Sequence, residues 1–246
     1  MGLAYRVVAR LDVKGPNIVK GIRFEGLRVV GKPAELAKRY AESGADELLY
    51  IDTVASLYGR NQLESLIEET SEAAFVPITV AGGIQSIRDC ARLFAAGADK
   101  LACNTFPIRE PGFIERVSGR FGSQAITVSI EAKRTPQGWE CYTDNGREKT
   151  GKCAIRWAHE AAALGAGELL ITSVDRDGTM QGFDAELLSH IDVDIPVLAG
   201  GGCGSVGHLA GVLPHTQGVV IGAALHYGRL TIGQAKEAIK ERKEVR

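Results

Sequence analysis

"ESGADELLYIDT", residues 42–53, reads as the end of a helix, a glycine stop and a buried strand. Gly44 closes the amphipathic stretch "PAELAKRYAESG" (33–44), in which Leu36, Ala37 and Tyr40 share one helical face and Lys38 and Arg39 another. The next run, "ELLYID" (47–52), is apolar nearly throughout, the pattern of a strand covered on both faces in a parallel sheet. The same succession recurs as "ALGAGELLITSV" (163–174), about 120 residues further on. A second pair, "VPITVAGGIQS" (76–86) and "IPVLAGGGCGS" (195–205), repeats at nearly the same spacing.

Eight strands of this kind emerge along the chain, at 6–12, 47–52, 76–81, 99–104, 124–131, 168–174, 195–200 and 218–223. Helical stretches alternate with them, among them 33–44, 87–98, 153–167 and 231–243. Eight strand–helix units in 246 residues predict an α/β fold, a single closed (β/α)8 TIM barrel spanning 1–246. Its two half-barrels cover approximately 1–120 and 121–246, with two-fold pseudosymmetry.

Composition narrows the function. A net charge of −1 argues against nucleic acid or anionic membrane as a partner. The apolar runs are too short to cross a bilayer, and the N-terminus is too polar for a signal peptide. Five scattered cysteines without C-x-x-C or zinc spacing indicate a reduced, cytoplasmic chain with no metal and no cofactor. Each cysteine reads as a small buried hydrophobe.

The strand tips carry the chemistry. "VARLDVKG" (8–15) and "VSIEAKR" (128–134) each end an apolar strand in a carboxylate, Asp12 and Glu131. These acids occupy equivalent places in the two halves and are expected to face each other across the C-terminal mouth, where barrel active sites lie. Either is also readable as an exposed strand end. The glycine clusters "AGGIQS" (81–86) and "GGGCGS" (200–205) each precede a helical stretch, so backbone N–H groups and a helix N-terminus could grip a phosphate. The next strands end in "CNT" (103–105) and "GAA" (222–224). Two grips across one mouth suit a substrate with a phosphate at each end. "DRDGT" (175–179) adds a tight loop that could touch a substrate hydroxyl or phosphate. At the other end, Arg6, Glu47, Lys100 and Glu168 stand at four strand starts, pointing either to solvent or inward as a salt-bridged plug.

With "LDVK" (11–14), "FGSQAITVSIEAKR" (121–134), "GAGELLITSVDRDGT" (165–179) and "LAGGGCG" (198–204), the chain resembles the cyclase subunits of imidazole glycerol phosphate synthase, from about residue 5 onward. The resemblance implies a lyase of histidine biosynthesis that forms a heterodimer with a glutaminase subunit docked at the barrel bottom. Ammonia would travel through the barrel to a bis-phosphorylated ribulosyl-formimino aminoimidazole carboxamide ribonucleotide. The products would be imidazole glycerol phosphate and aminoimidazole carboxamide ribonucleotide. Asp12 and Glu131 fall on the catalytic acids and Lys20 on a loop lysine. Gly83, Asn104 and Thr105 fall on one phosphate site, and Asp177, Gly178, Gly202 and Gly222 on the other. Arg6, Glu47, Lys100 and Glu168 fall on the ammonia gate.

Departures from the family pattern gather at the mouth. Glu131 stands where aspartate is usual, Arg10 where cysteine is usual, and Ala223 where serine is usual. "KGPN" (14–17) replaces a more acidic turn. An alternative is therefore a paralogue that delivers ammonia to the synthesis of acetamidino sugars of surface polysaccharide. A related single-chain isomerase is a third possibility, but it has no use for the four-residue gate.

Overall fold

The computed structural model describes residues 5–55, 63–73 and 75–244. Its strands in chain order are β1 Arg6–Lys14, β2 Asn17–Ile22, β3 Glu25–Gly31, β4 Glu47–Asp52, β5 Ile78–Ala81, β6 Lys100–Cys103, β7 Ile126–Thr135, β8 Gly138–Thr143, β9 Glu148–Cys153, β10 Glu168–Ser173, β11 Val197–Gly200 and β12 Gly218–Ile221. Eight of them, β1, β4, β5, β6, β7, β10, β11 and β12, pair in parallel, and β12 returns to β1 to close a barrel. This is the (β/α)8 fold expected from the sequence, and all eight predicted strands form.

Alternation along each strand divides the apolar residues into two cores. Outward residues such as Leu11, Tyr50, Val80, Val128, Ile171 and Ile221 pack under the helices. Helix Pro33–Glu42 buries Leu36, Ala37 and Tyr40, as its periodicity predicts. Inward residues Val8, Leu49, Ala81, Ala102, Leu170, Leu198 and Val220 form a separate layer that fills the bore. Charged side chains lie above and below this layer.

Two antiparallel hairpins absent from the sequence reading extend the mouth. β2 and β3 follow β1, and β8 and β9 follow β7. The β2–β3 turn places Arg23 and Phe24 at φ +54° and +65°, a left-handed pair whose twist suits a tight hairpin. The turn between β8 and β9, "DNG" (144–146), has three positive φ values. The segment "KGPN" (14–17) is the tight turn joining β1 to β2.

The two glycine clusters lead into different structures. After Gly82 and Gly83, helix Ile87–Ala95 begins with Ser86 as its cap, accepting from the Asp89 N–H. After Gly201 and Gly202 there is only a 3₁₀ turn, Val206–Leu209, where a helix was expected. The glycines at 207 and 211 and Pro214 deny that segment the propensity for a longer helix. A full helix therefore follows the first cluster and not the second.

Candidate active site at the barrel mouth

β1 and β7 stand opposite each other in the ring, so Asp12 and Glu131 belong to opposite walls of one mouth. Their surroundings are unlike. Asp12 is 3% exposed and both its oxygens are occupied. Arg10 Nε donates to Oδ1 at 2.6 Å and Lys20 Nζ to Oδ2 at 2.9 Å. Lys20, on β2, also donates to Asp177 Oδ2 at 2.9 Å, and Arg10 Nη1 lies 3.6 Å from Asp177 Oδ1. The result is a buried cluster of two cations and two anions. Burial opposes ionisation of Asp12, but Arg10 and Lys20 outweigh it and hold the carboxyl well below the usual carboxylate range.

Glu131 has the opposite balance. Burial raises its pKa to about 7, against the lowering influence of Arg10 and of the Gly146 N–H. That N–H, from the β8–β9 turn, donates to Glu131 Oε2 at 2.7 Å. The two acids are therefore not an interchangeable pair. Near neutral pH, Glu131 exchanges a proton and Asp12 stays ionised.

Glu131 borders a cleft of about 180 Å³ that also contains Gly83, Asn104, Thr105 and Arg109. Gly83 has φ +66°, and Thr105 Oγ1 accepts from the Asp144 N–H at 3.1 Å. Asn104 Nδ2 donates to the Tyr142 carbonyl, whereas its buried Oδ1 has no partner within the described residues. These predicted residues do come together. The second set, Gly178, Gly202 and Gly222, meets around a much tighter space shared with Arg10 and Lys20. Asp177 belongs to that set by position, but its carboxylate is turned to Lys20 and Arg10. Asp177 thus reaches the cradle through the two cations that border it.

The β2–β3 hairpin closes over this half. The Arg23 N–H donates to the Asp177 carbonyl at 2.8 Å, and Phe24 is buried beneath the Arg10 guanidinium, 5.2 Å from its ring centre. Sequence reasoning missed Phe24, Gly146 and Arg109 as mouth residues. It treated Arg10 only as a departure, although its placement two residues before Asp12 on one strand aims both at the bore.

At the barrel bottom the four charged strand starts turn inward. Glu47 accepts from Arg6 at 2.9 Å, from Lys100 at 2.6 Å and from Thr79 Oγ1 at 2.6 Å. Glu168 pairs with Arg6 and, at 3.2 Å, with Lys100. The plug reading, rather than the solvent reading, describes this ring.

Cys90, Cys103, Cys141 and Cys203 are buried and Cys153 is partly exposed; all five are free thiols. Among the described residues no group of His, Cys, Asp and Glu has the arrangement to hold a metal, and no helix is long and apolar enough to cross a membrane.

A closed ring of eight parallel strands with a charged mouth at the strand C-termini defines a protein of the (β/α)8 class. Residues 6–231 match the family described as "Histidine biosynthesis protein", and the chain belongs to that family. It is also 53% identical over 204 residues to the imidazole glycerol phosphate synthase subunit HisF of Legionella pneumophila. That alignment covers 82% of this chain and 96% of the relative.

Proposed function

We propose that the chain is the ammonia-using cyclase subunit of an imidazole glycerol phosphate synthase, a cytoplasmic lyase of histidine biosynthesis. The observation that carries this reading is the mouth itself, where a buried carboxyl with a pKa of about 7 borders one of two glycine cradles. The resemblance to the cyclase subunits implies the substrate class, a ribonucleotide with a phosphate at each end, and two cradles at one mouth suit such a molecule.

In this reading one phosphate sits at Gly83, Asn104 and Thr105 and the other at Gly178, Gly202 and Gly222. Glu131 accepts a proton as ammonia adds to the substrate and returns it to the departing aminoimidazole carboxamide ribonucleotide. A group that titrates near the working pH suits both transfers. Asp12, always ionised, fixes Lys20 and stabilises positive charge on the reacting nitrogen. The ring of Arg6, Glu47, Lys100 and Glu168 is the gate through which ammonia enters from a glutaminase subunit at the bottom. The chain acts as one barrel domain whose halves, 1–120 and 121–246, each supply one acid and one cradle.

The test is turnover by the purified chain. With the bis-phosphorylated ribulosyl-formimino substrate and an ammonium salt at mildly alkaline pH, imidazole glycerol phosphate and aminoimidazole carboxamide ribonucleotide should appear in equal amounts. Adding the glutaminase subunit from the same genome should let glutamine replace ammonium. Failure to convert the substrate at saturating ammonia would overturn the proposal.

A further inference from the structure

The two cradles are equivalent in sequence but not in space. The Gly83 cradle opens into the cleft of about 180 Å³, whereas the Gly178–Gly202–Gly222 cradle encloses about 10 Å³, roughly one water molecule. A phosphate seated in the second cradle would press against the side chains that border it. Three charged side chains border it: Arg10, Lys20 and Asp177.

Lys20 is anchored at 2.9 Å to a carboxylate on either side, Asp12 and Asp177. Arg10 is held differently. Its Nε makes the short bond to Asp12, while its Nη1 has only the 3.6 Å approach to Asp177. The Nη edge is the part of a guanidinium that meets phosphate in a bidentate pair. Its stem already lies against the cradle, since a Cβ on Gly222 would stand 3.7 Å from Arg10 Cβ.

Charge points the same way. Arg10 and Lys20 balance Asp12 and Asp177, and without Arg10 the buried cluster would be net negative and would repel an anion. Ala223 also offers this cradle no hydroxyl, whereas its counterpart has Thr105.

We propose that Arg10 is the anion ligand that makes the second cradle specific for a phosphate monoester, and that an arriving phosphate draws its guanidinium off Asp12 Oδ1. Filling the cradle then frees one Asp12 oxygen for the reacting atoms, so a substrate lacking that phosphate meets a locked Asp12. The identity of the physiological ligand rests on the cyclase reading. The binding step does not, and it is tested without turnover.

The experiment titrates the full chain with inorganic phosphate and follows backbone amides and the Arg10 Nε–H by NMR. In the wild type, the Gly201 and Gly202 amides and the Arg10 Nε–H should shift with one common midpoint. Arg10→Met should weaken that midpoint about tenfold or more while leaving the Gly83 midpoint within about twofold, and Arg10→Lys should fall between. The proposal is overturned if the Gly201 and Gly202 amides respond while Arg10 stays fixed, if they do not respond in the wild type, or if Arg10→Met binds as tightly as wild type. Should Arg10→Met fail to fold, the wild-type titration alone decides. A chain that shows the coupled shift yet never turns over substrate would refute the cyclase reading and leave the role of Arg10 standing.

Discussion

Arg10 Nε donates to Asp12 Oδ1 at 2.6 Å inside the barrel, and this bond makes the two mouth acids chemically unlike. Asp12 is neutralised by its neighbours, whereas Glu131 is destabilised as an anion by burial. One consequence is kinetic. At a fixed concentration of free ammonia, kcat/KM should show one ionisation near pH 7 belonging to Glu131, and none from Asp12 above the acid range. Glu131→Gln should remove that ionisation and lower turnover by about 100-fold or more, the scale of a positioned acid–base. Glu131→Asp, one methylene shorter, should lose roughly 10- to 100-fold because the carboxyl recedes by about 1 Å. Robust turnover by the glutamine variant would remove Glu131 from the mechanism.

The same carboxyl should appear in the stability. Its folded pKa, about 7, lies above the usual value of 4.5. Below pH 4.5 both folded and unfolded chains carry the proton and nothing is lost. As pH rises toward 7, the unfolded chain releases it first, so the fold loses stability across that window, by up to about 3 kcal/mol. His226 acts oppositely. Burial lowers its pKa to about 4, so it costs the fold stability as pH falls from 6.5 toward 4. Comparing wild type with Glu131→Gln cancels His226, which both share. The melting temperature of the glutamine variant minus that of wild type should rise between pH 4.5 and 7, and a flat difference would contradict the shifted pKa.

At the bottom of the barrel, Glu47 is 2% exposed and accepts from Arg6, Lys100 and Thr79. Glu47→Gln keeps the shape but leaves two cations facing Glu168 alone. Breaking a buried pair costs about 3–5 kcal/mol, and the partial exposure of Arg6 and Lys100 places this case nearer 2–3 kcal/mol. Urea unfolding should show that loss as a lowered midpoint with an unchanged slope. A change below about 0.5 kcal/mol would mean that the ring contributes no net stability.

Much of this arrangement is legible in the chain. The barrel is dictated by apolar runs broken by helices and by the duplication that aligns Gly44 with Gly165. The inward turn of Arg10 comes from its sharing one strand face with Val8 and Asp12, while Ala9 and Leu11 point outward. The features that were missed depend on contacts between distant segments. Strands β2 and β3 carry polar residues and turn through Arg23 and Phe24, neither a customary left-handed residue. The β8–β9 hairpin, by contrast, has a local signal: "DNG" (144–146) is among the strongest short hairpin motifs. That Gly146 would deliver its N–H to Glu131, or that Lys20 would bridge two acids, could be known only once the hairpins were folded over the mouth.

Two glycines separate backbone strain from site geometry. Gly15, in the β1–β2 turn, has φ +57° and open space where a Cβ would stand. Gly15→Ala should therefore cost only the left-handed penalty, about 1–2 kcal/mol, and leave phosphate binding untouched. Gly202 has φ +102°, which alanine tolerates poorly, and a Cβ there would collide with the Gly182 carbonyl and stand 3.0 Å from Arg176 Cβ. The Gly202 carbonyl also accepts from the Gly182 N–H at 2.8 Å, so the two segments cannot separate without losing that bond. Gly202→Ala should cost roughly 3 kcal/mol or more, combining backbone strain with a broken contact. It should also weaken phosphate binding at the second cradle about tenfold while the Gly83 site keeps its affinity. Chemical denaturation and phosphate titration of the two alanine variants side by side provide the check. If Gly202→Ala matches Gly15→Ala in both measurements, close packing of the Gly202 backbone is not what shapes the cradle.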